Sequence, residues 1–313
     1  EQHGEILRTE MQMKMLAFSH FAQFVHRWDE RVQIHDDTLD GRFHSNSTIN
    51  LAWDRNVQPK FLGKVTTAAR SVRYGDTRGH RRREDIFAGG IETGVRSIPL
   101  ARRYQAHEAD DSIDGRQVFE FAGDTHVRFH EDGSFSWRDA NDTGGHVGHE
   151  ALGAGTTYLI GKKNTTFFVS GRLSGNVTIY TPERIIITGN VTYAQEGAVA
   201  ETGGSFLGLV AAKSVEIAEP EVTGPGPLYV HGAIYAGRIF KVRDYRRREL
   251  SQLYIYGSVT AGSVSATEPR YSTRIEFDKR LEERRPAGFP VTDRFELTSW
   301  DGEWTRVSDS VGQ

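Results

Sequence analysis

The stretch Leu228–Gly237 reads "LYVHGAIYAG", and Leu253–Gly262 repeats it as "LYIYGSVTAG". Both follow one template: an apolar-rich run, one residue, a glycine, one residue, an apolar residue, then a turn of small residues. "FFVSGRLSG" at Phe167–Gly175 and "IIITGNVTYA" at Ile185–Ala194 fit it too, with Gly171, Gly189, Gly232 and Gly257 at the shared position. Weaker copies lie between them in "NVTIYTP" and "FLGLVAAKSVEIA". No helical period of similar length interrupts the series, so βαβ units are not expected. Short strands at near-regular spacing cannot bury a face alone; they do so by stacking as rungs. Glycine at each bend allows a positive φ or a close backbone approach. The series therefore predicts a right-handed parallel β-solenoid as the core over 151–267, with an antiparallel sandwich or barrel as the competing arrangement.

Outward from that core, antiparallel signals flank it. "QVFEFAGDTHVRFHEDGSFSWRDANDTGG" alternates apolar and polar residues around Gly123 and Asp132-Gly133, which predicts a meander with Asp-Gly hairpin chemistry. "RFELTSWDGEWTRV" repeats the idea around Asp301-Gly302. Between residues 37 and 115, two short strands precede the polar, glycine-rich "RYGDTRGHRRREDIFAGGIETG", which reads as a charged loop. At the N-terminus, Leu7, Met11, Met15, Phe18, Phe21, Val25 and Trp28 recur at three- and four-residue steps, and Phe24 widens the stripe. That period predicts an amphipathic α-helix over Glu5–Arg31. The expected organisation is an N-terminal helix (1–36), a mixed β region with the charged loop and meander (37–150), the solenoid (151–267), and a C-terminal tail with a hairpin (268–313).

Composition agrees with a mainly β chain. Among 313 residues, 33 are glycine and 37 % are hydrophobic, the balance of many short strands and turns. The formal net charge of −3 gives no global field that favours nucleic acid or an anionic membrane. No cysteine is present, which excludes disulfides and thiolate metal sites. No apolar run reaches the length of a membrane span. The sequence starts at Glu1, and we read it as a fragment whose natural N-terminus, with any targeting or membrane segment, has been removed.

Seven pieces occur in a suggestive order: "GRFHSNSTINL", "FLGKVTTA", "ERIIITGNVTYA", "FLGLVAAKSVEI", "PLYVHGAIYAG", "QLYIYGSVTAG" and "TRIEFDKRLEERRPAGFP". Together, over residues 37 to 290, they resemble a family of exported bacterial proteins that includes pilus-assembly proteins and large minor type IV pilins. The resemblance implies a protein outside the cytoplasm, at the bacterial cell surface or in a pilus, held by the inner membrane before assembly. It implies other pilin or minor pilin subunits as partners and a solenoid beside a small pilin-like sheet. The N-terminal stripe resembles the continuation of a pilin helix, with Leu7, Met11, Met15, Phe18, Phe21, Val25 and Trp28 carrying assembly contacts.

Catalytic chemistry is hard to find. The sequence has no phosphate-binding Gly-rich loop followed by Lys-Ser/Thr and no G-x-S-x-G elbow, and no cofactor is expected. A polysaccharide-active enzyme on this fold needs carboxylates converging on a groove, yet Ser170, Thr188, His231 and Tyr256 precede the shared glycines. His146, His149 and Glu150 sit in a glycine-rich segment that offers no scaffold for a metal. Asp110, Asp111 and Asp114 could bind Ca²⁺ weakly but lack the spacing of an EF-hand. Arginines remain: Arg78, Arg81, Arg82 and Arg83 in the early loop, and Arg243, Arg246, Arg247 and Arg248 before the last rung. They are candidates for contact with a DNA backbone, with Tyr74 and Tyr245 available for stacking, although acidic neighbours are interleaved. The reading is thus a non-enzymatic surface protein that displays its solenoid for assembly, adhesion or DNA capture. Its rivals are a DNA-binding adhesin acting through the arginines and a polysaccharide-active enzyme; a surface glycan is a further possible ligand.

Overall fold

The computed structural model describes residues 7–101, 115–142, 144–194, 204–247, 250–300 and 302–306. They are mainly β, with helical turns only at Phe18–His20, Arg83–Ile86, Pro220–Thr223 and Lys279–Glu282. No helix among them is long and apolar enough to cross a membrane.

The two quoted repeats are neighbours. Strands Leu228–Val242 and Ser251–Val264 run parallel with Leu228 opposite Leu253, Gly232 opposite Gly257 and Ala236 opposite Ala261. Equivalent letters of the repeat therefore stack on one another, and the inward letters form apolar columns. One column runs Phe119, Leu159, Ile179, Leu209, Ile234, Val259, each residue facing the next across a parallel pair. A second runs Val127, Val169, Ile187, Ile217, Val242. A third runs Val191, Val230, Ile255, Ile275. Most of these side chains are wholly buried, so each added strand covers the apolar edge left by the one before.

The N-terminal residues extend the same columns. Gln23–Val25 pairs in parallel with the strand Ser251–Val264, and Thr38–Asp40 pairs with Tyr271–Phe277. Beyond them the first column continues through Gln23, Phe43, Val65 and Ile91. The third continues through Leu39, Phe61 and Phe87. The chain thus enters beside its own late strands, at a seam between segments over 200 residues apart in sequence.

Four local expectations are corrected. The segment from Arg73 to Gly94 is not a plain charged loop: it holds the strand Arg73–Thr77, the helical turn Arg83–Ile86 and the strand Ile91–Thr93, both strands paired in parallel. Residues 11–25 form no helix: Met11–Ala17 is a strand, Phe18–His20 a single 3₁₀ turn, and Gln23–Val25 a strand. The apolar residues at three- and four-residue steps find partners on both sides of the chain. Phe18 meets Phe24 edge-on at 5.0 Å and Tyr235 at 5.4 Å, contacts that a single helical stripe does not supply. Gln117–Phe121 pairs in parallel with Thr156–Gly161 and forms no hairpin across Gly123. The expected meander is confined to Thr125–His130, Ser134–Asp139 and Gly148–Ala151. The strands flanking Asp301-Gly302 also do not pair with each other. Val291–Trp300 pairs antiparallel with Met11–Ala17, and Thr305–Arg306 pairs with Leu7–Arg8. The two chain ends thereby make one ribbon.

Candidate functional site

The ribbon has two unlike faces. Directly opposed residues share a face, and the pairs Met11–Trp300, Met13–Leu297 and Met15–Phe295 put six large apolar side chains together. All six are 44 to 64 % exposed. The other face holds Lys14 opposite Glu296 and is tied to the body. Lys14 Nζ donates to the Glu282 carbonyl at 2.5 Å, Arg42 pairs with Glu296, and Arg294 donates to the Ser97 carbonyl at 2.7 Å. At the ribbon base, the Thr292 hydroxyl donates to the Leu16 carbonyl at 2.6 Å. These anchors turn the polar face inward and leave the apolar face to solvent, where such a patch marks a contact surface. Of the residues predicted for assembly, Met11 and Met15 lie on this face, while Phe18, Phe21, Val25 and Trp28 are buried in the core. Leu7 takes part in the Leu7–Arg8 strand opposite Thr305–Arg306.

The predicted arginines are mostly engaged. Arg81 Nη2 donates to the carbonyls of Asp54 (2.8 Å) and Arg55 (2.9 Å), and Arg82 pairs with Asp85 at 3.2 Å. Arg83 reaches the Ile91 carbonyl at 3.3 Å. Arg243 bridges Glu216 (2.5 Å) and Glu219 (2.8 Å), and Arg247 pairs with Glu221. Bonding to Arg243 and Ser214 holds the Glu216 carboxyl below its ordinary range, although its burial opposes this most strongly. Arg246 lies over the Tyr245 ring at 5.7 Å, and Arg78 is exposed. Tyr74 packs edge-on against Trp53 at 5.6 Å. Arg248 lies outside the described residues, as do Asp110, Asp111 and Asp114.

Ser170, Thr188, His231 and Tyr256 divide into two places. Ser170 and Thr188 line a shallow surface groove with Arg128 and Phe168. His231 and Tyr256 are opposed across their strands with rings 5.4 Å apart. The structure adds a carboxylate that the sequence did not suggest: Asp278 is hydrogen-bonded to Tyr256. Asp278 is almost wholly buried and is held by Arg280 at 2.6 Å, so its charge is already answered. Tyr229 and Tyr254 stack nearly face to face at 5.0 Å, with Tyr229 partly exposed.

At the seam lies a cavity of about 240 Å³. Its floor is apolar, with Trp28, Ile34, Phe240, Ile255, Val259 and Ile275, and Gln23 enters where the column is otherwise apolar. Its rim carries His35, Asp36, Asp37 and Glu268. Desolvation, with the charges of Asp36 and Glu268 beside it, pushes the Asp37 carboxyl up to about 8, opposed only by a backbone bond from Thr273. Desolvation and the adjoining Asp36 likewise raise Glu268 to about 7. Ligand atoms of His35, Asp36 and Glu268 lie within 4.8 Å of one another, and among the described residues no other group of three converges in this way. His146 instead packs on Trp137 and His149 beside His130. "QIHDD" at Gln33–Asp37 was a visible signal; its pairing with Glu268 was not.

No family model matches the sequence, and no curated protein matches it. Among solved structures, the chain is similar to the competence-associated pilin ComZ from Thermus thermophilus, with a TM-score of 0.41 and 11 % identity over 95 % of this chain and 78 % of that one.

Proposed function

We propose that this chain is a non-enzymatic structural protein of the bacterial cell surface, the extracytoplasmic part of a minor pilin or pilin-like subunit that displays a parallel β-solenoid at a pilus or its tip. Its partners are other pilus subunits, and its full-length form is held at the inner membrane before assembly. The ordered series of motifs from residue 37 to 290 supports the family reading. The single observation that carries the function is the ribbon: its polar face is anchored to the body while Met11, Met13, Met15, Phe295, Leu297 and Trp300 stay in solvent. An apolar face held outward costs solubility and is kept where another chain covers it. Assembly is therefore the favoured use. DNA capture is less favoured, because Arg81, Arg82, Arg243 and Arg247 already have partners within the chain.

The test is made in the source cell. Surface fibres are sheared off and blotted beside the cell bodies, in the parent and in a strain unable to assemble pili. The protein is expected in the sheared fraction only when pili assemble. A distribution that ignores pili refutes the reading.

A further inference from the structure

We propose that His35, Asp36 and Glu268 form a binding site for one divalent transition-metal ion, Zn²⁺ in the first instance, which ties the N-terminal segment to the late strands at the seam. The topology brings the donors together. His35 and Asp36 lead into the strand Thr38–Asp40, Glu268 leads into Tyr271–Phe277, and these strands are parallel neighbours with Thr38 opposite Arg274. Ser272 already fixes one end by donating from its hydroxyl to Asp36 Oδ2 at 2.7 Å.

Donor atoms on a tetrahedral Zn²⁺ stand about 3.4 Å apart, given metal–ligand bonds of about 2.1 Å. The three donors here lie within 4.8 Å of one another, so small side-chain rotations close the set. An imidazole with two carboxylates suits Zn²⁺ and not Ca²⁺, which takes six or more oxygens. The adjoining cavity of about 240 Å³ leaves room for the water that completes the coordination.

An independent observation points the same way. Elsewhere the chain answers its partly buried carboxylates with cations: Glu183 with Lys213, Glu216 with Arg243, Asp278 with Arg280. Among the described residues, no Lys or Arg forms an ion pair with Asp36, Asp37 or Glu268, and the nearby Arg31 is bound to Asp29. Asp36 and Glu268 are instead hydrogen-bonded to each other, and a metal would take the place of the proton they share.

The experiment follows thermal melting and calorimetry of the metal-stripped chain with Zn²⁺ and, separately, Ca²⁺. One Zn²⁺ per chain is expected, raising Tm by about 5 °C at a hundredfold excess over Kd, with no response to Ca²⁺. His35→Gln and Glu268→Gln should each abolish the rise, and His149→Gln should leave it intact. His35→Gln changes a half-buried side chain outside the ladders, which keeps the test decisive if Glu268→Gln does not fold. The proposal is overturned by absence of stoichiometric binding, by a rise that survives both variants or depends on His149, or by Ca²⁺ acting as well as Zn²⁺.

Discussion

Gly232 and Gly257 show what the repeat demands of one residue. Their φ angles are 141° and 143°, in the region that L side chains avoid. A Cβ on Gly257 would also stand 2.0 Å from the Gly232 carbonyl oxygen, a backbone atom that cannot turn aside. Gly171 repeats the pattern, with φ 113° and the Phe129 carbonyl oxygen 2.2 Å from its virtual Cβ. Gly189 does not, since its nearest neighbour would be the Ser170 Cβ at 3.7 Å. Gly257→Ala should therefore cost about 3 kcal/mol or more and Gly189→Ala less than about 1 kcal/mol, read from denaturant midpoints. Arg243 offers a second test. Glu216, its side chain 9 % exposed, depends on it, so Arg243→Ala should destabilise by about 3 kcal/mol through the unpaired buried charge. Replacing both with apolar residues should recover part of that loss.

Met11–Ala17 is a strand whose local pattern also fits a helix. Met11, Met13 and Met15 alternate as a strand requires, but Leu7, Met11, Met15, Phe18 and Phe21 also recur at steps of three and four and imitate a helix. The decision between the two belongs to long-range partners, Val291–Trp300 for the strand and Tyr235 for Phe18, which local periodicity does not contain. The ribbon also separates two kinds of apolar residue by their consequences. Met13→Lys or Leu297→Lys removes exposed surface and should change stability by less than about 0.5 kcal/mol, yet deplete the protein from the sheared fibre fraction. Phe24→Ala, at a wholly buried site, should cost about 3 to 5 kcal/mol, read from the melting curve of the purified chain.

Across the whole molecule, the seam is the place where stability should respond to pH on the alkaline side of the ordinary imidazole range. Asp37 and Glu268 have native pKa values raised to about 8 and about 7. For a carboxyl raised on folding, the protonated native form is favoured. Stability is then fully present below the ordinary carboxylate range and is lost as pH rises through the raised values. In chelator, Tm should fall between pH 7 and pH 8, above the range in which His20, lowered to about 4 by desolvation, makes stability rise with pH. Asp37→Asn should flatten that fall and raise Tm at the alkaline end. Asp37 and Glu268 meet only because the chain's start stacks on its late strands, so a slope unchanged in Asp37→Asn would place the pH-sensitive group elsewhere.

The sequence by itself determined the mainly β class and the stacking of Leu228–Gly237 on Leu253–Gly262, because a repeated inward-outward alternation needs only itself as a partner. It also determined the hairpin at Asp132-Gly133, where the turn residues are contiguous. Only the tertiary structure decided that Gln23–Val25 continues a column begun by residue 119, that the chain ends pair into an outward apolar face, and that His35 and Asp36 meet Glu268. Those pairings join residues far apart in sequence. Their energy comes from apolar edges and charges that any compatible segment could cover, so the choice among segments is made by the completed fold.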